Sequence, residues 1–143
     1  MGFPVTEDFN GPDPVGFGPY QLNIKGGRRW SAADAFLHPA ARRPNLEVRP
    51  GALVTGLMTE GARVTGVRLG AQEVPAGHVV LATGAIGTPH LMLLSGIGPA
   101  DEVRGHGIAV AADIPGVGAN LHDHLEVKVK HRMTEPLSMW RHA

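Results

Sequence analysis

The spacing of apolar and polar positions changes character near residue 45. Before it, residues 1 to 27 carry Gly2, Gly11, Gly16, Gly18, Gly26 and Gly27 with Pro4, Pro12, Pro14 and Pro19, a density of breakers that predicts an extended loop lying against other structure. Ser31-Ala32-Ala33-Asp34 reads as a helix start, because the Ser31 hydroxyl can accept from an orphan N–H while Asp34 places negative charge in the first turn. The helix is short and runs toward Pro39. From Asn45 onward β-branched residues set the pattern. Leu46 to Arg49, Leu53 to Thr59 and Val64 to Leu69 read as strands, with Glu60 to Arg63 as the turn of a hairpin. His78-Val79-Val80-Leu81-Ala82 has consecutive apolar residues where the others alternate, which predicts a central strand of a parallel sheet covered on both faces.

Thr83-Gly84-Ala85 follows at once. Thr88-Pro89 supplies an N-cap residue before a proline at the first helical position, where the missing N–H costs nothing. The helix so begun, through His90-Leu91-Met92-Leu93-Leu94, is apolar nearly all round, so it is expected to be buried, and it stops at Ser95-Gly96. A short helix from Asp101 to Arg104 ends at Gly105. After Ile108-Ala109-Val110 comes the turn Pro115-Gly116-Val117-Gly118, and Leu125 to His131 alternates strictly, as a strand does. No internal repeat is present.

Charge and composition narrow the function. Lys plus Arg balance Asp plus Glu at thirteen each, so no basic field exists to gather the phosphates of a nucleic acid. With no cysteine the chain has no disulfide, thiolate metal site or cysteine nucleophile, which fits a reducing compartment. The apolar runs are too short for a transmembrane segment and the first residues do not form a secretory signal, so a cytoplasmic protein is expected.

Chemistry concentrates at few places. A strand ending in a glycine turn against a helix N-terminus lets backbone N–H groups approach a phosphate, which makes Gly84 and Ala85 candidates. The same glycine also suits a plain tight connection, and both readings stand on local pattern. No complete G-x-G-x-x-G occurs, since Gly16-Phe17-Gly18 and Gly116-Val117-Gly118 each lack the third glycine. His122-Asp123-His124 has metal-ligand types, but neighbouring residues of an extended segment point to opposite faces; a hydrogen-bonded corner is the alternative. Glu126 shares a polar strand face with Lys128 and Lys130, the usual arrangement of a solvated face. Ser31, Ser95 and Ser138 stand in no G-x-S-x-G context, so serine hydrolase chemistry has no support.

Taken together, three segments resemble the glucose-methanol-choline oxidoreductases, FAD-dependent enzymes that oxidise alcohols. The run from Gly84 to Gly98, GAIGTPHLMLLSGIG, is similar to the family's second signature over its whole length. Pro115 to His124, PGVGANLHDH, resembles its PGVGxNLxDH segment, and Gly26 to Pro39 with Asn45 to Val48 resembles its GxRxSxxxAYLxPAxxRxNL stretch. The similarity runs from about Asn10 to Pro136, and the family places a G-x-G-x-x-G turn before such a stretch and a histidine base after it. The resemblance therefore implies an interior segment with no turnover of its own; His142 lies too early to be that base.

The fold class the resemblance implies is α/β: part of a Rossmann-like FAD-binding domain with a β-meander, plus the start of an antiparallel-sheet substrate domain. Residues 1–44 would form the loop and short helix at the domain boundary, 45–114 the FAD-binding segment, and 115–143 the start of the substrate domain. It further implies that FAD lies with its adenine on the backbone at Val54 and its ADP part at Thr83, Gly84 and Ala85. In choline-oxidising members, the segment similar to His124-Leu125-Glu126 places its glutamate against the trimethylammonium group. Such a cation has no N–H to donate and is recognised by charge and shape. His124 and Glu126 are thus the implied substrate contacts, with Lys128 about 6.6 Å along the same face. The reaction takes a proton from the alcohol hydroxyl and sends hydride to flavin N5, requiring base, flavin and substrate in register. The substrate is choline or a similar primary alcohol; a truncated, non-catalytic product is the reading from another class. Electron transfer to a respiratory chain would bring association with a membrane, while no residue identifies the electron acceptor.

Overall fold

The computed structural model describes residues 4–127, and the chain divides into two units, Met1–Pro50 and Gly51–Ala143. In the first, the breaker-rich stretch is irregular as expected, fastened by an isolated parallel bridge between Val5 and Phe17. Its end forms a two-residue hairpin that the pattern did not announce, β1 (Ile24–Lys25) against β2 (Arg28–Arg29), with Lys25 Nζ 4.6 Å from the Trp30 ring centroid.

The helix start at Ser31 is built as a reciprocal cap. Ser31 Oγ accepts from the Asp34 N–H at 3.2 Å, and the Ser31 N–H and hydroxyl both donate to Asp34 Oδ2. Those donors, first the Ser31 hydroxyl and then its N–H, together with His38 hold the Asp34 carboxyl below its ordinary range. The helix does not stop at Pro39. A π-turn, Ala33–Leu37, runs into α1 (His38–Ala40), with the His38 N–H reaching back five residues to the Ala33 carbonyl. Proline cannot donate to the carbonyl four residues earlier and its ring crowds that oxygen, so the turn ahead of Pro39 is wide.

The second unit contains the meander. β3 (Gly56–Glu60), β4 (Arg63–Leu69) and β5 (Gln72–Pro75) pair antiparallel in that order. The predicted hairpin is present with its turn at Gly61-Ala62, and a bulge between Met58 and Thr59 shifts the register. α2 (Gly84–Leu94) lies against β3 and against β6 (Ile97–Gly98). α3 (Ala100–Gly105) then carries the chain over to β7 (Ala112–Asp113), which pairs parallel with β6, a crossover of the length a parallel pair requires. Asp113 Oδ1 accepts the Ala100 N–H at 3.0 Å and so satisfies an orphan donor of α3 from the far end of the crossover. The core is Leu57, Leu91 and Ile97, with Val54, Val64, Val67, Val79, Leu81 and Met92 packed around them. Burial of Leu57, Leu91 and Ile97 stabilises by about 1.5–3 kcal/mol each, and the partly buried residues around them contribute less.

Four expectations need correction. Leu46 to Arg49 is not a strand; an exposed Glu47–Arg49 ion pair of 2.7 Å fastens this irregular stretch, and two apolar residues without a neighbouring strand cannot make a ladder. His78 to Ala82 is not a central strand either. Val79 and Leu81 pack on the core, but Val80 is 88% exposed and among the described residues no strand pairs with the segment. Continuous apolar character signals cover on two faces, and here only one is covered. For the same reason α2 is buried along one side alone: Leu91 is buried, while Ile86, His90 and Leu94, four residues apart, are exposed. Finally, α2 begins at Gly84, so Pro89 lies inside it and not at its first position. Of the strand expected from Leu125 to His131, residues 125–127 are irregular and exposed and the remainder lies outside the described residues.

Candidate functional site

Gly84 opens α2 with φ of 81°, a left-handed conformation that costs a residue with a Cβ about 1–2 kcal/mol. An added Cβ there would meet no atom within 4 Å, so the backbone at the turn is open to a ligand. Thr83, the N-cap residue, makes no side-chain cap bond; its hydroxyl lies 3.0 Å from the Thr88 hydroxyl instead. The first turn of α2 also lacks an acidic residue. An uncapped helix N-terminus with its positive dipole end and an open glycine is the donor set that suits a phosphate. The residues present therefore fit a phosphate group.

Beside this turn, Ala85, Ile86, Pro89, His90 and Leu93 of α2 face Gly118, Ala119 and Leu121 across a mostly apolar groove of about 530 Å³. The second glycine-rich motif thus comes to the helix that follows the first. Asn120, next to that loop, holds φ of 56°, a conformation in which Asn is enriched. Val54 is half-buried and packs on the core that Leu91 anchors, so the structure ties it and α2 to one cluster. His124 and Glu126 are exposed in an irregular segment. The His124 N–H donates to Asp123 Oδ1 at 2.8 Å, a local corner.

Sequence reasoning passed over Ser95. Its hydroxyl accepts the Leu57 N–H at 2.8 Å and donates to the Leu91 carbonyl at 2.6 Å, pinning α2 to β3. A serine at a helix end, four residues after a free carbonyl, was the available signal. Among the described residues no helix is long and apolar enough to cross a membrane.

The GMC oxidoreductase family matches residues 1–126, and the chain belongs to this family of flavoproteins. Among curated proteins it is 46% identical to the oxygen-dependent choline dehydrogenase of Brucella anthropi over 97% of this chain and 26% of that one. It is 43% identical to the mitochondrial choline dehydrogenase of Homo sapiens over 96% of this chain and 24% of that one. Among solved structures, pyridoxine 4-oxidase from Mesorbium loti superposes with a TM-score of 0.71 at 40% identity, covering 80% of this chain and 23% of that one. The chain spans about a quarter of the length of the curated relatives it matches. The α/β class expected from the sequence holds, with the meander as its antiparallel part.

Proposed function

We propose that this chain is the part of an FAD-dependent alcohol oxidoreductase that grips the ADP end of the cofactor, with choline or a similar primary alcohol as the substrate of the whole enzyme. The observation that carries this reading is the uncapped, open turn at Gly84 heading α2, in a chain of a flavoprotein family. Backbone N–H groups of Thr83, Gly84 and Ala85 would bind the pyrophosphate side, and the Val54 backbone the adenine. FAD, when bound, supplies the hydride acceptor. The residues named here bind and orient it, and none of them serves as the base.

The test is a titration of the purified 143-residue chain with FAD, read by quenching of flavin fluorescence, alongside Gly84→Val. Wild type is expected to bind. The valine adds both a strained φ and a branched side chain where phosphate would lie, so affinity should fall by roughly a hundredfold. Equal affinity of the two chains would remove Gly84 from the site, and no binding by wild type would reject the reading for this chain.

Choline is favoured as substrate by the naming of the curated relatives and by the carboxylate of Glu126 beside His124. In a full-length protein carrying this segment, Glu126→Gln should raise the Kd for choline about tenfold or more while leaving a neutral alcohol nearly unaffected. Equal losses on both would sink the cation-binding role. The second reading, an alcohol other than choline, is favoured by the likeness to a solved pyridoxine 4-oxidase, and that outcome would select it.

A further inference from the structure

We infer that Ser95 is a positioning residue for the flavin site, holding α2 in register with β3 so that the turn at Gly84 and the Val54 backbone can grip one cofactor. The inference rests on the FAD reading above and adds a residue outside the proposed contacts.

Val54 and Gly84 lie on different segments, and two elements must be fixed for them to act together. Val54 lies two residues before β3, and the intervening Thr55 donates its N–H to the Arg68 carbonyl at 2.8 Å, so Val54 moves with the meander. Gly84 heads α2, a rigid rod of about 16 Å, and Ser95 caps the other end of that rod. Between the two elements the apolar contact of Leu57 with Leu91 and Ile97 is non-directional: it resists separation but allows sliding.

The Ser95 hydroxyl supplies direction. It accepts the Leu57 N–H across 38 positions of sequence and donates to Leu91 within its own helix, so its one donor and one of its two acceptor lone pairs are used and its orientation is set. Leu57 is 5% exposed, and without that acceptor its N–H would be buried and unpaired, leaving the strand to shift in search of another partner. A slide of α2 along β3 carries Gly84 with it by the same distance, away from register with Val54.

The experiment compares wild type, Ser95→Ala and Ser95→Thr in the 143-residue chain, measuring FAD affinity of the folded population and exchange of the Leu57 amide. Ser95→Ala should weaken FAD binding roughly tenfold and expose the Leu57 amide to exchange. Ser95→Thr, which keeps the oxygen, should restore both. A role in stability alone would lower the denaturation midpoint and leave the affinity of folded molecules unchanged, which would overturn the inference, as would a Leu57 amide that stays protected in Ser95→Ala. If Ser95→Ala does not fold, Ser95→Cys, with its weaker acceptor, carries the same comparison. Absence of FAD binding by wild type itself would reject the flavin reading; binding by wild type with no effect of Ser95 would reject only this inference.

Discussion

Gly96→Ala is expected to unfold the Gly51–Ala143 unit or leave it barely stable, although it adds a single methyl group. Gly96 follows the C-cap of α2 with φ of 80°, and its N–H closes the helix on the Leu93 carbonyl at 3.0 Å. The left-handed conformation alone costs alanine about 1–2 kcal/mol. In addition, the new Cβ would overlap the Ala109 carbonyl oxygen and press on the Ala111 amide. Backbone cannot yield as a flexible side chain does. Relief requires residues 109–112 to move away, and the Gly96 carbonyl would then lose the Ala111 and Ala112 N–H groups it accepts at 2.8 and 3.1 Å. Overpacking of this kind costs about 1–3 kcal/mol, so the total is roughly 2–5 kcal/mol. Gly105→Ala is the control: an added Cβ there meets nothing within 4 Å. Urea denaturation followed by circular dichroism decides between them, and equal midpoints for the two variants would contradict the close approach at Gly96.

The second half of the GAIGTPHLMLLSGIG segment was more legible than the first because it depends on local rules. Ser95-Gly96 stops α2 as a helix-terminating pair should, and the Pro115–Gly118 turn falls where its chemistry predicts, whereas Gly105 is the last residue inside α3 and the left-handed glycine that follows the helix is Gly107. At the other end Pro89 was misleading. Proline suits the first turn of a helix, and its presence after Thr88 made that position look like the start; the actual start is fixed five residues earlier by Gly84 with its positive φ, which sequence spacing does not encode. β5 was missed for a different reason. Gln72-Glu73-Val74-Pro75 offers one aliphatic side chain between polar residues, so it has no strand signature of its own and is recruited by pairing with Gly66 to Leu69 of β4.

The burial errors share a cause. Val80 and Ile86 belong to segments with the apolar character of structure covered on all sides, and both are exposed. Sequence reports what environment a residue prefers; the structure reports which neighbours this chain provides. The candidate site divides along the same line. The local order at residues 83–85 left a phosphate-side turn and a plain tight connection both open, whereas the Ser95 bond to Leu57, which ties α2 to the strand that follows Val54, joins residues far apart in the chain. Local pattern carries no information about such a bond.

Leu91→Ala should be heavily damaging while leaving the backbone free of strain. Leu91 is 7% exposed and forms, with Leu57 and Ile97, the buried cluster between α2, β3 and β6. Truncation removes the transfer term and opens a cavity, together costing about 2–5 kcal/mol. A typical domain has only about 5–15 kcal/mol in total, and the core here is small, so cooperative unfolding should shift to far lower urea or disappear. Ile86→Ala removes comparable apolar volume from the same helix, but Ile86 is 75% exposed, and a change there should stay within about 0.5 kcal/mol. The pair also tests the one-sided burial of α2. Equal destabilisation would mean that the Ile86 face is covered in the folded protein, whereas a large effect at Leu91 alone leaves that face open beside the groove at Gly118 and Leu121.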